Sequence, residues 1–98
     1  MQYLVVAHDG TDAGAQSRRQ AARPLHLAFI EPLVAAGRIM IGGPLLDDAG
    51  AMIGSAVIAD FPTRDALDQW LASDPYATGG VWKQVQVTPM RVAAAPPA

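Results

Sequence analysis

The sequence predicts an α+β fold made of two strand–helix–strand units, in the order β-α-β-β-α-β. Three observations carry this expectation. Apolar residues alternate or run together over four short stretches, 2–8, 38–46, 51–61 and 81–92, each bounded by glycine, proline or aspartate. Two longer stretches, one after the first strand and one after the third, repeat their apolar residues at helical spacing. Only Asp47-Asp48-Ala49-Gly50 separates the second strand from the third. That is too short for a crossover, so these two strands form an antiparallel hairpin.

The first strand places Tyr3, Val5 and Ala7 on one face and Leu4, Val6 and His8 on the other. Both faces are largely apolar, the pattern of a strand covered on two sides. Asp9-Gly10-Thr11-Asp12 is a turn that ends it. Helix is expected from Ala13 to Gly37, with Arg18, Arg19 and Gln20 facing solvent. Pro24 either opens a fresh helix or sits within a continuous one, and Pro32 is a second irregularity. At about 100° per residue, Leu25, Phe29, Leu33 and Ala36 share an arc that Ile30 and Val34 extend, and His26 falls in its middle. Gly37 is a helix stop.

The second strand is interrupted by Gly42-Gly43-Pro44, and the third carries Gly54-Ser55. Glycines there strip side chains from the sheet surface, which suits a bulge or the approach of a ligand to the backbone. Thr63 is the expected N-cap of the second helix, Asp65 suits its first turn, and Ala66, Leu67, Trp70 and Leu71 form its buried stripe. Asp74-Pro75 ends that helix, because the residue before proline avoids helical geometry. Residues 75–78 can add one more turn, capped by Asp74, before Gly79-Gly80 releases the chain. In the last strand Val85, Val87 and Pro89 share one face, and Trp82, Gln84, Gln86 and Thr88 the other. The reading is one domain, residues 1–92, and a flexible Ala/Pro tail, 93–98.

This order is ferredoxin-like: a four-stranded antiparallel sheet with both helices on one face. The expectation includes the first and third strands as parallel neighbours at the centre, and both helices running the same way. The sheet face without helices needs a cover. A second copy of the same sheet supplies one, giving a homodimer that closes as a dimeric α/β-barrel.

Composition excludes several functions. The 98 residues are 51% hydrophobic and 16% charged, with a net charge of −2 and no basic cluster beyond Arg18-Arg19. Nucleic acid is therefore not an expected partner, since phosphate neutralisation needs clustered cations. No apolar run approaches the roughly 18 residues of a membrane span, and no signal peptide is visible. The chain has no cysteine, which removes thiolate metal sites and thiol nucleophiles and fits a cytoplasmic location. No redox-cofactor motif is present, so no cofactor is expected. Two histidines and scattered aspartates show no metal-ligand spacing.

The motifs together resemble the YCII-related domain family over nearly the whole chain. The matching pieces are Tyr3-Leu4-Val5-Val6-Ala7-His8-Asp9-Gly10, Arg23-Pro24 with His26-Leu27, Gly37-Arg38 leading to Gly42-Gly43-Pro44, Gly54-Ser55, and Asp74-Pro75-Tyr76 running to Gly80-Val81-Trp82. None is specific alone; the order and spacing make the match. The resemblance implies a ferredoxin-like dimeric α/β-barrel with a His-Asp pair in a cleft, mapping here onto His26 and Asp74. A relative of that family is a dehydrochlorinase acting on a chlorinated hydroxyquinol, which implies acid–base chemistry on small aromatic or enol-type molecules.

Each candidate keeps a plainer reading beside the functional one. His26 is either an inert core imidazole or a proton-transfer residue titrating near physiological pH. Asp74 caps a turn, partners His26, or does both. Arg23 binds an anionic substrate or pairs with an acid. Gly43, Pro44 and Ser55 are read as the cleft floor. His8 is read as a surface or turn residue or as lining the site, and Tyr76 and Trp82 as core or dimer contacts before substrate stackers. With the helices expected to run the same way, Asp74 lies at the sheet end opposite the start of the first helix. A direct His26–Asp74 bond then requires that helix to be long. The function expected is lyase, isomerase or dehydrochlorinase-like chemistry on a small organic substrate; the alternative is a non-enzymatic dimeric ligand-binding or regulatory module.

Overall fold

A computed structural model describes residues 1–97. Its strands are β1 (Gln2–Asp9), β2 (Ile39–Leu46), β3 (Met52–Asp60) and β4 (Trp82–Met90), and its helices α1 (Ala15–Ala35), α2 (Arg64–Ser73) and α3 (Pro75–Thr78). The sheet order is β2-β3-β1-β4, and every neighbouring pair is antiparallel. The fold is ferredoxin-like α+β. Residues 91–97 have no regular structure, and Ala98, the last residue of the expected tail, lies outside the described residues.

The antiparallel pairing of β1 with β3, Gln2 opposite Asp60 and His8 opposite Gly54, corrects the expected parallel neighbours. The physical reason is the hairpin. β2 must run parallel to β1 after a helical crossover, and a tight turn reverses β3. Each helix runs back along the strand it follows, so α1 and α2 run in opposite directions. The end of α2, and Asp74 with it, therefore lies at the sheet end where α1 begins, not at the far end.

α1 is one continuous helix with Pro24 and Pro32 inside it. It ends in a Schellman-type cap: Gly37 takes φ +76°, its N–H reaches the Val34 carbonyl at 3.0 Å, and the Arg38 N–H reaches Leu33 at 2.8 Å. The Thr63 hydroxyl caps α2 as expected, accepting from the Ala66 N–H at 3.1 Å. β2 is a continuous edge strand whose irregularities lie at Met40 and near its end, not at Gly42-Gly43-Pro44. Gly54 sits against the Ala7 carbonyl so closely that a β-carbon has no room.

Helices cover the sheet face that carries Tyr3, Val5, Ala7, Val57 and Ala59. With Phe61, Leu67, Trp70 and Tyr76 these residues form the core. A bulge moves one residue expected elsewhere into this layer. His8 pairs with Gln84 but Asp9 pairs with Trp82, so Lys83 is the extra residue and Trp82 turns to the helix side. The opposite face is not covered within one chain: Leu4 is 37% exposed, and Val6 and Ile58 are only half-buried.

The phase of α1 also differs from expectation. Its inward line runs through Ala15, Arg19, Ala22 and His26 to Ile30 and Leu33. Leu25 and Val34, placed on the apolar arc, are 65% and 50% exposed. Arg19, expected in solvent, is 2% exposed.

Candidate active site

Two hydrogen-bonded groups meet beside the α1 line. The first is built on Asp74. This residue is extended at the end of α2, as Pro75 requires, and its carboxylate caps α3 by accepting from the Tyr76 N–H at 2.8 Å. It is fully buried. Oδ2 accepts from Trp70 Nε1–H at 3.0 Å, and Oδ1 lies 2.7 Å from His26 Nδ1. Both carboxylate oxygens thus already face N–H donors, so the short contact is His26 Nδ1–H donating to Asp74. The tautomer that results keeps the Nε2 lone pair free. Among the described residues Nε2 has no hydrogen-bond partner, and it is not sealed from solvent. The cap and partner readings of Asp74 both describe its contacts.

The imidazole is held by stacking as well. Its ring lies 3.8 Å from the Tyr76 ring, 12° from parallel, and meets Trp82 edge-on at 6.1 Å. Burial pushes the Tyr76 phenol above its ordinary value of 10.0, so the ring is a neutral aromatic surface at physiological pH.

The second group is one that the sequence reading missed. Arg19 Nη1 donates to both oxygens of Asp9 at 2.9 Å, and Nη2 donates to the Ser55 hydroxyl at 3.0 Å. Trp82 Nε1–H reaches the same hydroxyl at 3.3 Å. The Arg19 guanidinium carbon stands 4.6 Å from the centre of the Tyr76 ring, so one phenol ring contacts both groups. A buried ion pair of this kind costs roughly 3–5 kcal/mol to break by removing one partner. A signal was available: Arg19 lies seven residues before His26, two turns back on the same stripe.

A cavity of about 450 Å³ opens between α1 and the β2 edge. Arg19, Arg23, His26, Gly43, Pro44 and Ser55 all line it, and so do Tyr76 and Trp82. Of the sequence-derived site residues, Arg23, His26, Gly43, Pro44 and Ser55 share this cavity, while Asp74 lies behind His26 and does not line it. Tyr76 and Trp82, read first as core or dimer contacts, belong to the core and also form part of its wall. Ser55 is engaged by Arg19 and Trp82, not by His26. A larger cavity, about 830 Å³, lies at the start of α1 beside His8. Its acids are committed elsewhere: Asp9 to Arg19, and Asp12 to Arg18 at 2.6 and 2.8 Å. That contact holds the Asp12 carboxyl well below the usual carboxylate range. Among the described residues no three His, Cys, Asp or Glu side chains converge as a metal site needs.

The YCII-related domain matches residues 1–91. The chain belongs to this family. Protein YciI of Escherichia coli is 36% identical over 97 residues, covering 93% of this chain and 97% of the relative. A protein of the xenovulene A biosynthesis cluster of Sarocladium schorii is 32% identical over 76 residues, covering 69% of this chain and 65% of the relative. Among solved structures, the 5-chloro-2-hydroxyhydroquinone dehydrochlorinase of Burkholderia phenoliruptrix, in complex with 2,5-dihydroxybenzoquinone, superposes with a TM-score of 0.81 at 28% identity, covering 93% of this chain and 94% of that one. A dimeric ferredoxin-like protein of unknown function from Jannaschia, 16% identical with a TM-score of 0.51, covers 93% of this chain and 98% of its own and shares the fold. Among the described residues no helix is long and apolar enough to cross a membrane.

Proposed function

We propose that this YCII-family chain is an acid–base enzyme acting on a small oxygenated organic molecule, with His26 as the proton-transfer residue and Asp74 as its orienting partner. The observation that carries the reading is the 2.7 Å contact from His26 Nδ1 to a fully buried carboxylate, which leaves Nε2 as the free base in a cavity with two guanidinium groups. Nε2 removes a proton from an acidic O–H or C–H of the substrate. Arg23 stabilises the enolate or phenolate that forms, since it lines the cavity and pairs with no acid among the described residues. Expulsion of a leaving group such as chloride completes an elimination; return of the proton to a different carbon completes an isomerisation. Gly43, Pro44 and Ser55 form the floor on which the substrate rests. The likeness to a dehydrochlorinase at 28% identity supports elimination as the first chemistry to assay. The homodimer expected from the uncovered sheet face belongs to the same reading.

The test is chloride release from 5-chloro-2-hydroxyhydroquinone by the wild-type chain and by His26→Asn. The reading expects turnover that falls by about two to four orders of magnitude in the variant, the range that a positioned acid–base group supplies. Equal turnover by both proteins would sink it.

A further inference from the structure

The cavity that holds His26 extends well beyond it. The α1 residues lining it run from Arg19 to Val34, a span of about 22 Å along the axis at 1.5 Å per residue. One end is cationic through Arg23 beside the imidazole, the neighbouring Arg19 being neutralised by Asp9. The other end is hydrocarbon: Ile30, Val34, Met40 and Ile41. A single oxygenated ring placed against Nε2 leaves that second end unfilled.

The chain does not cover this end itself. Val34, Met40 and Ile41 are 50%, 43% and 67% exposed, and a β-carbon built on Gly43 meets nothing within 4 Å. Contiguous exposed apolar surface joined to a polar pocket marks a binding surface more often than an accident of packing. At the cationic end, among the described residues, no Asp or Glu lines the cavity and Arg23 is in no ion pair. Charge complementarity fixes the polarity of the occupant: its head is anionic, and its tail follows α1 toward Val34.

We propose that the site takes an amphiphilic anion, a carboxylate or enolate head held by the Arg23 guanidinium beside His26 with a linear hydrocarbon tail lying along Ile30, Val34, Met40 and Ile41. This rests on the acid–base reading of the same site and adds the class of molecule that fills it.

Calorimetric titration of the full chain with butanoate, hexanoate and octanoate tests the tail. Affinity should rise about three- to fourfold per methylene, the free energy of burying each CH₂. Val34→Glu should weaken octanoate at least tenfold and butanoate less than twofold, while Arg23→Gln should weaken all three acids. Affinities independent of chain length, with the Arg23 dependence kept, overturn the tail and leave the acid–base reading standing; chloride release by His26→Asn tests that reading separately. Binding by none of the three acids also overturns the proposal. So does a chain-length effect that is absent while Val34→Glu shifts the molecular mass in size-exclusion chromatography, because the rim is then a contact between two copies.

Discussion

Asp74 does three things with two oxygens, and the consequences are legible one bond at a time. It ends one helix, starts the next and fixes the histidine tautomer. Asp74→Asn keeps the shape but exchanges one acceptor oxygen for an NH₂ group. Whichever way the amide turns, that group faces an N–H donor: Trp70 Nε1–H on one side, or the Tyr76 N–H and His26 Nδ1–H on the other. The expected loss of stability is about 1–3 kcal/mol, the cost of leaving a buried polar group unsatisfied, measured by urea denaturation. Turnover should fall as well, because the amide no longer enforces Nδ1–H. A variant as stable and as active as the wild type would mean that the carboxylate is not positioning the ring.

At the scale of the element, α1 carries the site because it runs unbroken from Ala15 to Ala35 through two prolines. Its stop is built into Gly37, whose φ of +76° costs a side-chain-bearing residue about 1–2 kcal/mol. Gly37→Ala should lower the thermal midpoint by that amount of stability while leaving space intact, since a β-carbon there meets nothing within 4 Å; an unchanged midpoint would contradict the cap. This helix also shows what the sequence could and could not tell. Its stop and the capping of α2 by Thr63 follow from local chemistry and are readable, whereas its continuity through Pro24 is not, because proline fits both a first turn and a tolerated interior position. Its phase is not readable either. Leu25 and Phe29 pulled the apolar arc one way, while the face that is buried carries Arg19, a choice favourable only because Asp9 arrives from β1 to neutralise it. Helical periodicity holds no information about a charge on another element. The bulge at Lys83 was hidden for a related reason: one inserted residue reverses the faces of a strand, and nothing local to residues 82–84 announces it.

For the whole molecule, the antiparallel order β2-β3-β1-β4 turns all the helices to one side and leaves Leu4, Val6 and Ile58 on the other. The first and third strands therefore keep apolar residues on a face that one chain cannot bury. A homodimer through that face is the reading this pattern supports. Leu4→Lys combined with Ile58→Lys should reduce a two-copy species to the single-chain mass in light scattering while the circular dichroism of the fold persists. A double variant of unchanged mass would place any association elsewhere. The direction of the helices departs from the sequence expectation for a reason that spans the whole chain. A hairpin between two crossovers reverses the second unit, which brings the end of α2 to the start of α1 and Asp74 within reach of His26.

The proposed function turns on one bond, in which Asp74 takes the proton-bearing nitrogen of His26 and leaves the other to the cavity. Nitrogen-15 long-range correlation NMR of the His26 ring, recorded at about pH 8 where an ordinary histidine is neutral, tests it directly. The contact with Asp74 predicts a protonated Nδ1 and an unprotonated Nε2. A ring that carries its proton on Nε2 would contradict it.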